Sequence, residues 1–378
     1  PVCSPTRHSI QFGMCPAKIR VTNNNAKNIQ LCEPKQALAN MIKKADARYT
    51  TAHFGKWHVS LSPAACGYDV SDGSLGNSDG NKANNTEDPK RTFEVSKRAV
   101  SYMKKKVKAN QPFFMQVSYF ADHLKFMSSP KMEKKYKLLP PGARHKDPVF
   151  AGMNEDLDRG VGQILNAINE LGISNNTYIF YMADNGYDES KSKLHGIAKR
   201  KAWPLSYSKG FVFEGGIRVP FIVKGPGIKP GTFSNVPVVG YDLMPTFIKL
   251  INPKFKLPKI VEGGSMLPVL MNGGEGNINR ANEFLVFHYP TGVWPAQTSM
   301  IMGDYKMVKT WAFDRLQLFN LKNDISETKD LSQVLREKTK KMHKILVKYL
   351  DSINAIQPPL KELEFDRNGL LMKKSTGK

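Results

Sequence analysis

Between residues 93 and 251 the chain alternates helix-period and strand-type apolar segments, and few architectures accommodate that order. Phe93, Ala99, Val100, Met103 and Val107 recur at helical spacing. The run Phe113-Phe114-Met115-Gln116-Val117-Ser118-Tyr119 then reads as a buried strand. Leu157, Val161, Ile164, Leu165, Ile168 and Leu171 mark an amphipathic helix over 154–171, with Gly172 where a C-cap belongs. Thr177 to Met182 is rich in β-formers and leads into polar Asp184 and Asn185. Val219-Pro220-Phe221-Ile222-Val223 is a further strand, closed by the Gly-Pro-Gly turn at 225–227, and Asp242 precedes a helix over 243–251. This alternation predicts an α/β fold, a mostly parallel sheet sandwiched by helices. Ligands of such sheets sit beyond the carboxyl ends of the strands. Asp122-His123 and Asp184-Asn185 both fall there, which points to a shared site.

Past residue 280 the pattern changes. Short strand-type segments at 284–287, 299–302, 305–309 and 317–320 are followed by a long basic helix over 333–353. The expected organisation is a catalytic α/β domain over 1–280 and a smaller C-terminal subdomain over 281–378, an antiparallel sheet plus helix with a polar tail from Leu360. No internal repeat or low-complexity tract interrupts the 378 residues.

Composition narrows the function classes. No apolar stretch reaches 18 residues, so no membrane span is expected. The formal net charge of +23 would draw polyanions, whether nucleic acid, anionic lipid or sulfated glycan. A lysine-rich solvated surface would give the same number, and no nucleic-acid-binding motif accompanies it. Cys3, Cys15, Cys32 and Cys66 lie in the first fifth of the chain without zinc-type CxxC pairing; a disulfide among them is left open by their spacing. The first residue is Pro1 rather than Met, so the lack of a leader says nothing about compartment.

The sharpest local signal is Cys3-Ser4-Pro5-Thr6-Arg7, continued by His8-Ser9-Ile10-Gln11-Phe12-Gly13. Others follow along the chain: Tyr49-Thr50-Thr51-Ala52 ahead of Gly55-Lys56-Trp57-His58, then Met182-Ala183-Asp184-Asn185-Gly186. Further on come Lys209-Gly210, Phe213-Glu214-Gly215-Gly216-Ile217-Arg218, Asp242-Leu243 with Pro245-Thr246, and Gly303-Asp304-Tyr305-Lys306. Singly, each has an ordinary structural reading, such as a buried cysteine, a turn or a surface lysine. In this order, over residues 1 to about 350, they resemble the type I sulfatases of the alkaline-phosphatase superfamily.

That resemblance implies a sulfuric ester hydrolase. Cys3 would be oxidised to formylglycine by a formylglycine-generating enzyme that reads the Cys-x-Pro-x-Arg context. One hydroxyl of the aldehyde hydrate would attack sulfur and displace the alcohol; the other would lose its proton and expel sulfate. Arg7 and Lys56 would stabilise and position the hydrate, and His58 would act as base. His123, with Lys209, would hold the sulfate and protonate the leaving oxygen. Asp184, Asn185 and the oxygen derived from Cys3 would ligate a divalent metal; hard oxygen donors suit Ca²⁺, or Mg²⁺, rather than zinc.

Two features depart from the family pattern. The family carries adjacent acidic metal ligands on a first strand some tens of residues before the cysteine, so this sequence is expected to be N-terminally truncated, without that strand. His-x-Pro after the third strand is replaced here by His123-Leu124-Lys125. The charge points to a sulfated carbohydrate as substrate, with His288-Tyr289-Pro290 and Trp294 as candidate subsite residues, and family resemblance implies a periplasmic or secreted location. The alternatives are a phosphoester hydrolase of the same superfamily and an inactive sulfated-glycan-binding protein.

Overall fold

The structure, a computed structural model, describes residues 1–24, 29–82, 84–188, 202–291 and 296–358. Trp294 and the tail from Leu360 lie outside the described residues. The chain opens with helix α1 (Cys3–Phe12), which no apolar periodicity announces. Pro5 is its third residue, where the N–H has no intrahelical acceptor to lose, so the ring is tolerated. Gly13 ends the helix in the left-handed conformation, φ +64°.

Helix α2 (Leu38–Ala45) leads to strand β1 (Thr50–Gly55), then the short β2 (Val70–Ser71), helix α3 (Thr92–Lys108) and strand β3 (Phe113–Ser118). The three strands form a parallel sheet in the order β2-β1-β3, with Ala52 opposite Met115 and Gly55 opposite Ser118. Period-2 alternation along β3 shows why both faces are covered. Phe113, Met115 and Val117 join Ala52, Phe54, Val95, Ala99 and Tyr102 in one cluster under α3. Phe114 points the other way, to Leu38, Ile42, Met244 and Ile248. Each such side chain stabilises by about 1.5–3 kcal/mol when fully buried.

Helix α4 (Pro130–Lys137) packs on α5 (Pro148–Glu170), whose start is fixed by Asp147 accepting from the N–H groups of Val149 and Phe150. Strand β4 (Ile179–Met182) is followed by the single-turn α6 (Glu214–Ile217) and by β5 (Phe221–Lys224). Alongside the parallel strands of the expected mostly parallel sheet, β5 runs antiparallel to β4, Ile179 opposite Lys224. The two strands form their own two-stranded sheet.

Helices α7 (Leu243–Ile251) and α8 (Leu267–Leu270) complete the first part. Strands β6 (Leu285–Tyr289), β7 (Gln297–Met302), β8 (Tyr305–Thr310) and β9 (Arg315–Asn320) then make an antiparallel meander backed by α9 (Arg336–Ser352). Met342, Leu346 and Leu350 of α9 pack on Leu285, Met300, Met307 and Leu318, and the same cluster takes in Cys15, Ala17 and Tyr241. The C-terminal sheet therefore shares a core with the segment just after α1. Among the described residues, no helix is long and apolar enough to cross a membrane.

Candidate functional site

Cys3 is the first residue of α1 and is 1% exposed. The ammonium of Lys56, itself buried, lies close to it. The end of β1 sets Lys56 in place. Gly55 has φ +90°, and a Cβ on it would lie 2.1 Å from the carbonyl oxygen of Ser118. Only glycine allows that approach, and the next N–H, that of Lys56, donates to the same oxygen at 2.8 Å.

Arg7 sits one helical turn after Cys3. Its Nε and Nη2 both donate to Oδ2 of Asp184 at 2.9 Å, and Nη1 donates to the carbonyl of Lys56. Lys56 Nζ stands 3.8 Å from that same Oδ2. One carboxylate from the end of β4 thus joins two cations carried by α1 and the end of β1. Burial would raise the Asp184 carboxyl, but Arg7 and Lys56 outweigh it and hold the group ionised far below the usual range. Burial, then Arg7, lowers the Lys56 ammonium, against the pull of Asp184 and Cys3.

His58 follows in the left-handed conformation, φ +55°, strained for a non-glycine residue and of a kind concentrated at functional sites. Its Nδ1 is buried without a hydrogen-bond partner among the described residues. Burial first, then Lys56 and Arg7, lowers this imidazole to about 4, so it is neutral and able to accept a proton. His123 lies beyond the end of β3. Its Nδ1 donates to the carbonyl of Leu124 at 2.8 Å, which makes Nε2 the acceptor nitrogen of the neutral ring. Burial, then Lys209, lowers it to about 4. Lys209 Nζ lies 3.4 Å from Oδ2 of Asp188 and also contributes to the field on Asp184.

All eight residues singled out in the sequence converge on the carboxyl ends of β1, β3 and β4 and on the start of α1. Arg7, Lys56 and Lys209 around Asp184 leave a positive balance, which suits an anionic reacting group. Asn185 donates through Nδ2 to the carbonyl of Gly186, while its Oδ1 is buried and has no partner among the described residues. An orphaned carbonyl oxygen beside an ionised carboxylate fits two positions in the shell of a hard divalent cation. No group of three or more His, Cys, Asp or Glu that could hold a metal occurs among the described residues.

The glycines of the later motifs form the floor of this turn. A Cβ on Gly186 would lie 1.8 Å from the carbonyl oxygen of Gly215, and Gly186 N–H donates to the carbonyl of Gly216. Glu214 pairs with Arg218 and with Lys306 Nζ at 2.9 Å, and Lys306 also reaches Glu327 at 2.8 Å. Asp242 accepts from Arg280 and from the N–H of Gly264. These motif residues hold the framework.

Sequence reasoning missed two polar residues near the centre. His8 Nδ1 donates to the carbonyl of Ser4, and Nε2 accepts from the Ser60 N–H at 3.1 Å, tying α1 to the loop after His58. A pocket of about 180 Å³ opens there, lined by Ser4, His8, Asn24, His58, Ser60 and Ser74. Lys90, buried ahead of α3, contacts the loop of His123. A histidine at i+4 of a polar helix and one lysine among many carry no sequence signal of either contact.

The family model described as Sulfatase matches residues 1–253, and that described as N-sulphoglucosamine sulphohydrolase, C-terminal, matches residues 203–355. A sulfatase of Formosa agariphila is 31% identical over 263 residues, 64% of this chain and 45% of that protein. An ulvan-active sulfatase of the same organism is 26% identical over 310 residues, 72% of this chain and 56% of that protein. The chain thus spans about half the length of these curated relatives. The crystal structure of Ps i-CgsB superposes with a TM-score of 0.76 at 25% identity, covering 95% of this chain and 84% of that one.

Proposed function

Because the chain belongs to the sulfatase family, we propose that it hydrolyses sulfate esters, with a sulfated carbohydrate as its substrate class. The observation that carries the reading is Cys3 at the start of α1, with buried Lys56 close by and both beside the Arg7–Asp184 pair. Formylglycine made from Cys3 by a formylglycine-generating enzyme supplies, as its hydrate, the oxygen nucleophile and a second hydroxyl, while Ca²⁺ or Mg²⁺ supplies charge to the sulfate oxygens. Asp184, Asn185 and the Cys3-derived oxygen are the groups of this chain that would hold the metal.

The protein's own residues do the rest. Arg7 fixes Asp184 and the backbone at Lys56, and Lys56 sets its charge beside the side chain at position 3. His58, kept neutral, takes the proton that must leave for sulfate to be released. His123 holds its ring by Nδ1 and presents Nε2 to the leaving oxygen; the charge of a bound sulfate draws a proton onto it against the opposing charge of Lys209, which helps to hold the sulfate. The formal charge of +23 steers a polyanion toward the site, and one relative is named for its action on ulvan. A periplasmic or secreted location goes with that substrate.

The test is expression with and without a formylglycine-generating enzyme, followed by assays on 4-nitrophenyl sulfate, 4-nitrophenyl phosphate and sulfated oligosaccharides. The Cys3 peptide should lose about 18 Da on modification, the change from CH₂SH to CHO, and sulfate turnover should depend on it. Faster phosphate than sulfate turnover would make the protein a phosphoester hydrolase. Full turnover by Cys3→Ala would overturn the mechanism, and glycan binding over an unmodified, inactive Cys3 would make it a binding protein.

A further inference from the structure

We infer that Lys90 is a positioning residue for His123, its buried ammonium clamping the loop that carries the imidazole. The inference rests on the reading of His123 as the group that protonates the leaving oxygen. Lys90 precedes α3 and is 3% exposed. Its Nζ donates to Oδ1 of Asn81 at 2.8 Å, to the carbonyl of His123 at 2.9 Å and to the carbonyl of Lys125 at 3.2 Å. An ammonium has three protons, and here each has an acceptor.

Two of those acceptors flank Leu124, whose carbonyl takes the proton of His123 Nδ1. The His123 N–H is held as well, donating to the carbonyl of Phe120 at 3.0 Å. Lys90 therefore fixes the peptides on either side of the one that orients the imidazole, and that orientation decides where Nε2 points. Two carbonyls that converge on one buried point need a donor between them, and removing the ammonium takes away the one that Lys90 supplies. Burial lowers the Lys90 ammonium to about 8, so it remains protonated at neutral pH. Nothing places Lys90 against the reacting atoms, so its effect passes through His123.

The discriminating measurement is leaving-group dependence. 4-Nitrophenolate departs without a proton, whereas a sugar alkoxide needs one. With the modified full chain, Lys90→Met should reduce kcat on a sulfated monosaccharide roughly 10–100-fold more than on 4-nitrophenyl sulfate, with KM changing little. His123→Ala should show the same selectivity, and the double variant should be no slower than His123→Ala alone. Asn81→Ala, which keeps the charge but loosens the clamp, should show the selectivity in smaller measure and serves if Lys90→Met does not fold. Equal losses on both substrates, or additive losses with His123→Ala, would overturn the inference. Selectivity in His123→Ala but not in the Lys90 and Asn81 variants sinks the role of Lys90 alone. A His123→Ala without selectivity, or an inactive modified wild type, sinks the underlying reading with it.

Discussion

Replacing Lys306 by methionine removes a cation shared by two buried carboxylates, Glu214 and Glu327. Lys306 and Glu327 are 0% exposed at their side chains and Glu214 is 2% exposed. Glu214 would keep Arg218, whereas Glu327 would keep only the N–H of Glu214, at 2.8 Å. The two acids already differ for this reason. Both are pushed up by burial; Lys306 and Arg218 together bring Glu214 below its ordinary value, while Glu327, with Lys306 alone and Glu214 nearby, stays above it. Breaking a buried pair from one side costs about 3–5 kcal/mol. A chain of this length loses about 2 °C or less per kcal/mol, so Tm should fall by about 5–10 °C. An unpaired buried carboxylate has a folded pKa above its unfolded one, so the variant's shortfall is smallest below the ordinary carboxylate range and grows as pH rises through the folded value. Thermal melts at pH 5 and pH 8 should therefore show a larger gap from wild type at pH 8, and adding Glu327→Gln should recover much of it. A gap under 1 °C at pH 8, or one that does not change with pH, would refute the reasoning.

Three further outcomes follow from the site. Lys56→Ala and His58→Ala should each lower turnover roughly 10²–10⁴-fold with a smaller effect on substrate binding; wild-type kcat in either would remove its assigned role. Gly186→Ala puts a methyl into the carbonyl of Gly215, so the Asp184-Asn185 turn must shift, and a displacement of about 1 Å should cost about 10²-fold in kcat and weaken Ca²⁺ binding measured by calorimetry. His53 is held to about 3, and His58, His123 and His288 to about 4, chiefly by burial. Their folded values lie below the unfolded value near 6.5, so the stability they give is present above that pH and is lost on falling toward 4. Urea unfolding at pH 7 and pH 5 should give a lower free energy at pH 5, and equal values would contradict the burial of these rings.

The two halves of the site were unequally legible. Residues proposed to do chemistry are read easily, because reaction demands a particular functional group in a particular order along the chain. Cys3, Arg7, Lys56, His58, Asp184 and Asn185 all stand in recognisable local strings. The helix beneath Cys3 and Arg7 was hidden, because its stabilising partners are polar and distant: Arg7 reaches Asp184, 177 residues away, and Gln11 reaches Gln116, 105 residues away. Apolar periodicity cannot see a helix whose buried face is arginine, histidine and glutamine. Strand β5 is legible as a strand but its direction is not, since a strand's composition records that it is buried and not which way it runs.

Lys306 and Lys56 show the same limit from the other side. Both are lysines in motif strings, both are buried and both hold carboxylates, yet they meet different company. Lys306 faces Glu214 and Glu327 in a site closed by the C-terminal sheet, so its charge is cancelled and only the framework benefits. Lys56 shares a single carboxylate with Arg7, so cationic charge is left over beside Cys3. An excess of fixed positive charge at the start of a helix is what a sulfate ester meets as an attractive field, and it is built before substrate arrives. The proposed function thus draws on the imbalance around Asp184, which depends on how many cations the fold brings to one carboxylate. That number is a property of tertiary contacts between α1, the end of β1 and the end of β4, and no single segment of the chain contains it.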